Sequence, residues 1–182
     1  MKRILVIGDS WASAVVAGGG PDWVSLLGIP AALRQAVAGS TAAGWASNES
    51  GRLDLAAATQ AEVVIISLAG NDAIRAMADG TVTIDEAVAM ICSIQKVVSA
   101  VQKAETIVFL YADPFAGTRP ETAFAVRILN LGIRIACPRE VRFLETGSIL
   151  KAEHFDGSDI HPNAAGHAEI AKAIRDLLEG TP

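Results

Sequence analysis

Four short runs rich in valine and isoleucine, residues 3–7, 63–69, 106–112 and 141–144, constrain this chain more than any other feature. Each is bounded by turn residues, and its apolar character is nearly continuous rather than alternating. A strand with one wet face alternates. A strand buried on both faces does not, and such strands belong to parallel sheets covered by helices on either side. A further short strand is expected near residues 33–38.

Helical patterns fill the intervals. Over residues 85–103, Val88, Ile91, Cys92, Ile94, Val98 and Val101 recur near a 3.6-residue period behind Thr83 and Asp85. A second helix is predicted over 162–179, with Pro162 at an early helical position and Gly180 after the end, and a third over 121–135. Weaker patterns lie at 12–27 and 50–60. Strands alternating with helices imply right-handed crossovers, so the expected fold is α/β, a three-layer α/β/α sandwich around a parallel sheet of about five strands.

The 182 residues, 51% hydrophobic and dominated by small aliphatic side chains, read as a single domain over 1–182 without repeats, linkers or low-complexity tails. Every apolar run is cut by Gly, Asp, Arg or Pro too early to span a bilayer, so no membrane span is expected. The first run stops at Gly8-Asp9 with no small-residue cleavage site behind it, and a cytoplasmic location is the expectation. The balance of 20 acidic against 15 basic residues gives a net charge of −5, with no basic cluster to serve nucleic acid. Cys92 and Cys137, far apart and in apolar surroundings, read as reduced core thiols rather than zinc ligands or a redox pair.

In such sheets ligands bind outside the carboxyl ends of the strands, which directs attention to the loops there. Gly8-Asp9-Ser10 follows the first strand, where a hydroxyl would face the crevice. Serine is a weak nucleophile and needs a general base. The chain offers His154 in a polar loop, His167 inside the last helix, and His161 in Asp159-Ile160-His161-Pro162-Asn163 on the rim, which makes His161 the favoured base. Gly70-Asn71-Asp72 follows the strand 63–69, and Gly39-Ser40-Thr41 follows the short strand. An asparagine amide and a glycine N–H at those places can stabilise an oxyanion.

In this order, Gly8-Asp9-Ser10, Gly39, Gly70-Asn71-Asp72 and Ile160-His161-Pro162-Asn163 resemble the four blocks of the SGNH-hydrolase (GDSL) family, and the resemblance spans the whole chain. It implies a flavodoxin-like sheet and a serine hydrolase in which Ser10 is the nucleophile and His161 the base and then the acid. The oxyanion hole it implies comprises the backbone N–H groups of Ser10 and Gly39 and the side chain of Asn71. The implied substrate is a small-molecule carboxylic ester or thioester, as in small bacterial thioesterases, arylesterases and lysophospholipases, cleaved without metal or cofactor.

Two departures and one exclusion matter. The family's acid three residues before the histidine is here Ser158, which leaves Asp159, Asp156 or no carboxylate to orient His161, with Asp159 the favoured candidate. Losing that acid lowers the rate of a serine protease by about four orders of magnitude, so a chain without it is expected to be a degenerate binding module. Ala69 stands where the family often has glycine, a small change unless the backbone there needs a positive φ. Finally, Gly18-Gly19-Gly20-Pro21 lacks the Lys-Ser/Thr of a phosphate loop, and the chain lacks a Gly-x-Gly-x-x-Gly turn, which disfavours a nucleotide binder. Trp11, Trp45 and Phe115 are candidate walls of an acyl or aryl pocket, while Asp9 and Asp72 read as loop braces.

Overall fold

The computed structural model describes residues 2–48, 53, 58, 60–78 (backbone only at 76–78), 83–101, 104–115, 119–157 and 159–180. The strands β1 (Ile4–Gly8), β2 (Arg34–Ala36), β3 (Val63–Ser67), β4 (Glu105–Leu110) and β5 (Arg142–Glu145) pair in parallel in the order β2-β1-β3-β4-β5. This is the flavodoxin-like order, whose connections diverge between β1 and β3. Successive side chains of a strand point to opposite faces. Since every residue of β1 and β3 is buried, both faces of the sheet are covered, as their unbroken apolar sequences require. Each fully buried Leu, Ile or Val contributes on the order of 1.5–3 kcal/mol.

The covering helices are α1 (Trp23–Leu26), α2 (Ala42–Ala46), α3 (Gly70–Ala78), α4 (Ile84–Val101), α5 (Pro120–Ala136), α6 (Thr146–Ile149) and α7 (Ala164–Glu179). They form two groups, with α2 packed on α4, α4 on α5 and α5 on α3 in one, and α1 and α6 on α7 in the other. Among the described residues no helix is long and apolar enough to cross a membrane.

Local chemistry explains where the helices begin. Thr83 and Glu86 satisfy each other's N–H groups ahead of α4, the Glu86 amide donating to Thr83 Oγ1 at 3.2 Å and the Thr83 amide to Glu86 Oε2 at 2.8 Å. Two helix expectations are corrected. The last helix starts at Ala164, with Asn163 as its cap accepting from the Gly166 amide, while Pro162 lies outside and bridges to Phe155. The pattern at 12–27 yields only Trp23–Leu26, because Gly18, Gly19 and Gly20 all adopt positive φ ahead of Pro21. The helix expected over 50–60 falls mostly outside the described residues, and Gly70-Asn71-Asp72, expected in the loop after β3, forms the first turn of α3 instead. Cys92 is also corrected: it is exposed on the outer side of α4, while Cys137 is half-buried and its thiol is pushed up to about 11 by burial.

The turn leaving β3 carries local strain. Ala69 sits at φ +82°, in the left-handed region that disfavours any residue with a Cβ. Glycine relieves that contact, and Ala69→Gly is expected to raise the unfolding free energy by about 1 kcal/mol, measured as a higher urea midpoint at unchanged slope.

Candidate active site

At the carboxyl ends of β1 and β3, where the connections diverge, a half-open cleft of about 80 Å³ is lined by Ser10, Trp11, Asn71, Tyr111, Leu129 and Ile160 among others. Its walls are overwhelmingly apolar, which suits an acyl group better than a charged ligand.

Ser10 reaches this cleft because the chain turns sharply after Gly8. The Asp9 amide donates to Ser67 O at 2.8 Å, and a Cβ on Gly8 would lie 2.8 Å from that same carbonyl, so only glycine lets β1 end this close to β3. Asp9, 1% exposed, turns its carboxylate inward. Its Oδ1 accepts from the Trp11 amide at 3.1 Å and Ser67 Oγ at 3.2 Å, and its Oδ2 accepts from the Tyr111 hydroxyl at 2.8 Å. The Gly70 amide also donates to it. Burial outweighs these donors and raises the Asp9 pKa from 3.8 to about 6. Burial also lifts the Tyr111 phenol well above its usual range.

Asn71 lies in the first turn of α3 and donates from Nδ2 to Ser40 O at 3.0 Å, which orients the amide and leaves its second N–H free of that bond. Gly39 adopts φ +76° on the same loop and does not line the cleft. The loop is anchored further by the Ala42 amide donating to Asp72 Oδ2 at 2.8 Å. Burial raises the pKa of Asp72 against those backbone donors.

His161 is held by a carboxylate. Asp159 Oδ1 lies 2.6 Å from His161 Nδ1 and accepts from the His161 backbone amide at 2.9 Å. The backbone N–H of His161, followed by its ring, keeps Asp159 below the ordinary carboxylate range, so it is ionised at neutral pH. With Nδ1–H directed at Asp159, Nε2 presents its lone pair, and this buried nitrogen has no partner among the described residues. Asp156, the other carboxylate weighed from sequence, instead accepts from Asn163 Nδ2 at 3.1 Å. Ser158 lies outside the described residues.

The other histidines have structural surroundings. His167 is fully buried, accepting at Nδ1 from the Trp23 amide at 3.3 Å and facing Val15 O with Nε2 at 3.2 Å; burial lowers its pKa and favours the neutral ring. His154 Nδ1 accepts from the Lys151 amide at 3.0 Å.

Of the three aromatic candidates, only Trp11 lines the cleft, with its ring edge-on to Tyr111 at 5.0 Å. Trp45 is packed behind the Gly39-Ser40 loop, its Nε1 donating to Ser40 Oγ, and Phe115 lies under the Arg119 guanidinium at 4.0 Å. Both expectations are corrected accordingly. The sequence reading missed Tyr111, which its place one residue beyond β4 would have revealed, and missed Thr122, Val126 and Leu129 of α5, which carry no local signal.

Because Asp9 is protonated at higher pH in the folded chain than in the unfolded one, the folded state holds an extra proton between about pH 4 and 6. Stability therefore falls as pH rises through that window. A shift from 3.8 to about 6, at about 1.4 kcal/mol per unit, corresponds to roughly 3 kcal/mol. Asp9→Asn is expected to melt several degrees above the wild type at pH 8 and to converge with it near pH 4, measured by thermal unfolding across pH.

Comparison with known proteins follows this geometry. The chain aligns over 98% of its length, and over 95% of the other, with LAE5, an alpha/beta hydrolase enzyme from the metagenome of Lake Arreo, Spain, at 18% identity and a TM-score of 0.74. The lipase Lip_vut3 from a goat rumen metagenome is 13% identical over 96% of each chain, with a TM-score of 0.72. Axe2, an acetylxylan esterase from Geobacillus stearothermophilus, is 17% identical over 95% of this chain and 92% of its own, with a TM-score of 0.66. At these identities the likeness establishes a shared fold. No curated protein sequence matches. Residues 6–169, however, match the model of the GDSL-like Lipase/Acylhydrolase family, and the chain belongs to that family.

Proposed function

We propose that this protein hydrolyses carboxylic esters of short acyl chains through a covalent acyl-enzyme on Ser10. The observation that carries the reading is the His161 ring, bound through Nδ1 to Asp159 at 2.6 Å while Nε2 stays buried and unpartnered. Leaving a buried acceptor unpaired costs about 1–3 kcal/mol, which a site tolerates when the missing partner arrives with the reaction.

In the proposed sequence, Ser10 Oγ attacks the ester carbonyl carbon while His161 Nε2 takes its proton. The electron pair displaced onto the carbonyl oxygen is met by the Ser10 N–H and the free N–H of Asn71. Collapse of the tetrahedral species breaks the bond to the alcohol oxygen, which receives the proton from His161. Water then repeats the attack with His161 as base, releasing the acid and restoring Ser10. Asp159 holds the ring in the productive tautomer and offsets the imidazolium charge. A cleft of about 80 Å³ has room for roughly five to eight groups the size of a water or methylene, which favours short acyl chains such as acetyl to butyryl.

Purified protein is expected to cleave p-nitrophenyl acetate and butyrate and to be labelled by a fluorophosphonate. Ser10→Ala should abolish both, and turnover surviving that change would overturn the assignment. Asp159→Ala is expected to lower kcat/KM by roughly a thousandfold or more, whereas Asp156→Ala should cost far less. Equal losses in the two variants would remove Asp159 from its role.

A further inference from the structure

The hydrolytic sequence uses the polar end of the cleft and leaves its apolar wall on α5 without a role. That wall is formed by Thr122, Ala125, Val126 and Leu129, spaced i, i+3, i+4 and i+7 and therefore on one face of the helix. Exposure falls along the stripe: Thr122 is half-buried, whereas Leu129 at its end is buried. A second half-open cavity of about 300 Å³ lies between α2, α3, α4 and α5, with Ala43, Arg75, Met90 and Ile128 among its walls. The cleft and this cavity share Ala73 of α3 and both Ala125 and Leu129 of α5.

We propose that Leu129 is a specificity-determining residue whose side chain closes the cleft against the second cavity and so sets the length of acyl chain the site accepts. This role rests on the hydrolase reading and deepens it by naming the group that ends the acyl subsite. Ala73 and Ala125 each bring a single methyl to the shared wall, so the isobutyl group of Leu129 supplies most of its bulk. The space beyond suits the same kind of group. Ala43, Ala87, Ala89, Met90 and Ile128 give it apolar surface, while Arg75 and Glu86 are exposed. An alkyl chain extended past Leu129 would pass from one apolar compartment into another.

With Leu129 in place, a chain that has filled the cleft of about 80 Å³ can lengthen only by displacing a packed side chain. Cut to alanine, the same position joins the two spaces, because surrounding structure closes only part of the volume that a buried large-to-small change vacates. Each methylene then taken out of water is worth about fourfold in kcat/KM. Butyryl and octanoyl differ by four methylenes, which gives a relative gain on the order of a hundredfold for the longer ester.

A series of p-nitrophenyl esters from acetate to decanoate tests this. The wild type is expected to prefer butyrate or shorter, and Leu129→Ala to raise the octanoate-to-butyrate ratio of kcat/KM on the order of a hundredfold. Adding Ala87→Leu to Leu129→Ala should lower that ratio again, because Ala87 borders the second cavity and not the cleft. A wild type that prefers octanoate, a ratio unchanged in Leu129→Ala, or a raised ratio that Ala87→Leu does not lower each overturns the proposal. Should Leu129→Ala fail to fold by circular dichroism and thermal unfolding, Leu129→Val carries the test: the ratio must rise severalfold, and an unchanged ratio overturns the proposal. Absence of any Ser10-dependent turnover overturns the hydrolase reading instead. Calorimetric binding of octanoate to the Ser10→Ala protein then decides the role of Leu129, since affinity should tighten about tenfold or more when Leu129→Ala, or Leu129→Val to a smaller extent, is added, and equal affinity overturns the proposal.

Discussion

The parallel, in-register pairing of β1 with β3 is the constraint on which the rest of the structure depends. Ile4 to Gly8 run beside Val63 to Ser67 with every side chain buried, so the two strands end side by side. The chain leaves β1 toward β2 on one side and leaves β3 toward β4 on the other. The residues that emerge at the gap between them are Ser10 and Asn71. The cleft is thus a consequence of strand order, and the polar blocks occupy positions that the apolar core had already created.

Holding those ends together requires charge where the core disfavours it. Asp9 lies among fully buried strands and its pKa is raised by that burial. A neutral amide would satisfy the interior better at neutral pH, yet it offers one acceptor oxygen where the carboxylate offers two. Ala69, at φ +82° between β3 and Gly70, is a second local cost at the same corner. Both lie within two residues of a block residue, a distribution expected when strain and buried charge are retained for the geometry of a site rather than for stability.

How much of this was legible in the sequence depends on the kind of signal. The strands were legible because burial on both faces leaves unbroken Val/Ile runs, and β1, β3, β4 and β5 fall within a residue or two of where those runs predicted them. The blocks carrying Ser10, Asn71 and His161 were legible because each directly follows a strand or precedes a helix. Asp159 could be nominated by nearness to His161, but choosing it over Asp156 required the fold of the loop: Asp156 is drawn to Asn163, two residues past His161, and Asp159 to the ring itself. Trp45 and Phe115 were misplaced because an aromatic next to a block in sequence need not face the cleft. The wall contributed by Thr122, Val126 and Leu129 comes from one face of α5, and no local pattern distinguishes a helix face lining a cavity from one lining the core.

His161 differs from the other blocks in that no strand places it; α6 and a 3-10 turn over Ala152–His154 stand between it and β5. Its position relative to Ser10 comes from contacts between that region and the segment after the nucleophile. Ala17 bridges to Asn163, and the Ala17 amide donates to Pro162 O at 3.2 Å. One turn into α7, the buried His167 faces Val15 O and receives the Trp23 amide, while Trp23 Nε1 returns to Trp11 O at 2.7 Å. The path from His161 to Ser10 therefore runs through the irregular segment 11–23, where a helix was expected and three positive-φ glycines stand instead. A regular helix there would have carried its carbonyls and amides in its own ladder, leaving neither Val15 O nor the Trp23 amide free to bind His167. The broken helix is what allows the base and the nucleophile to share one framework.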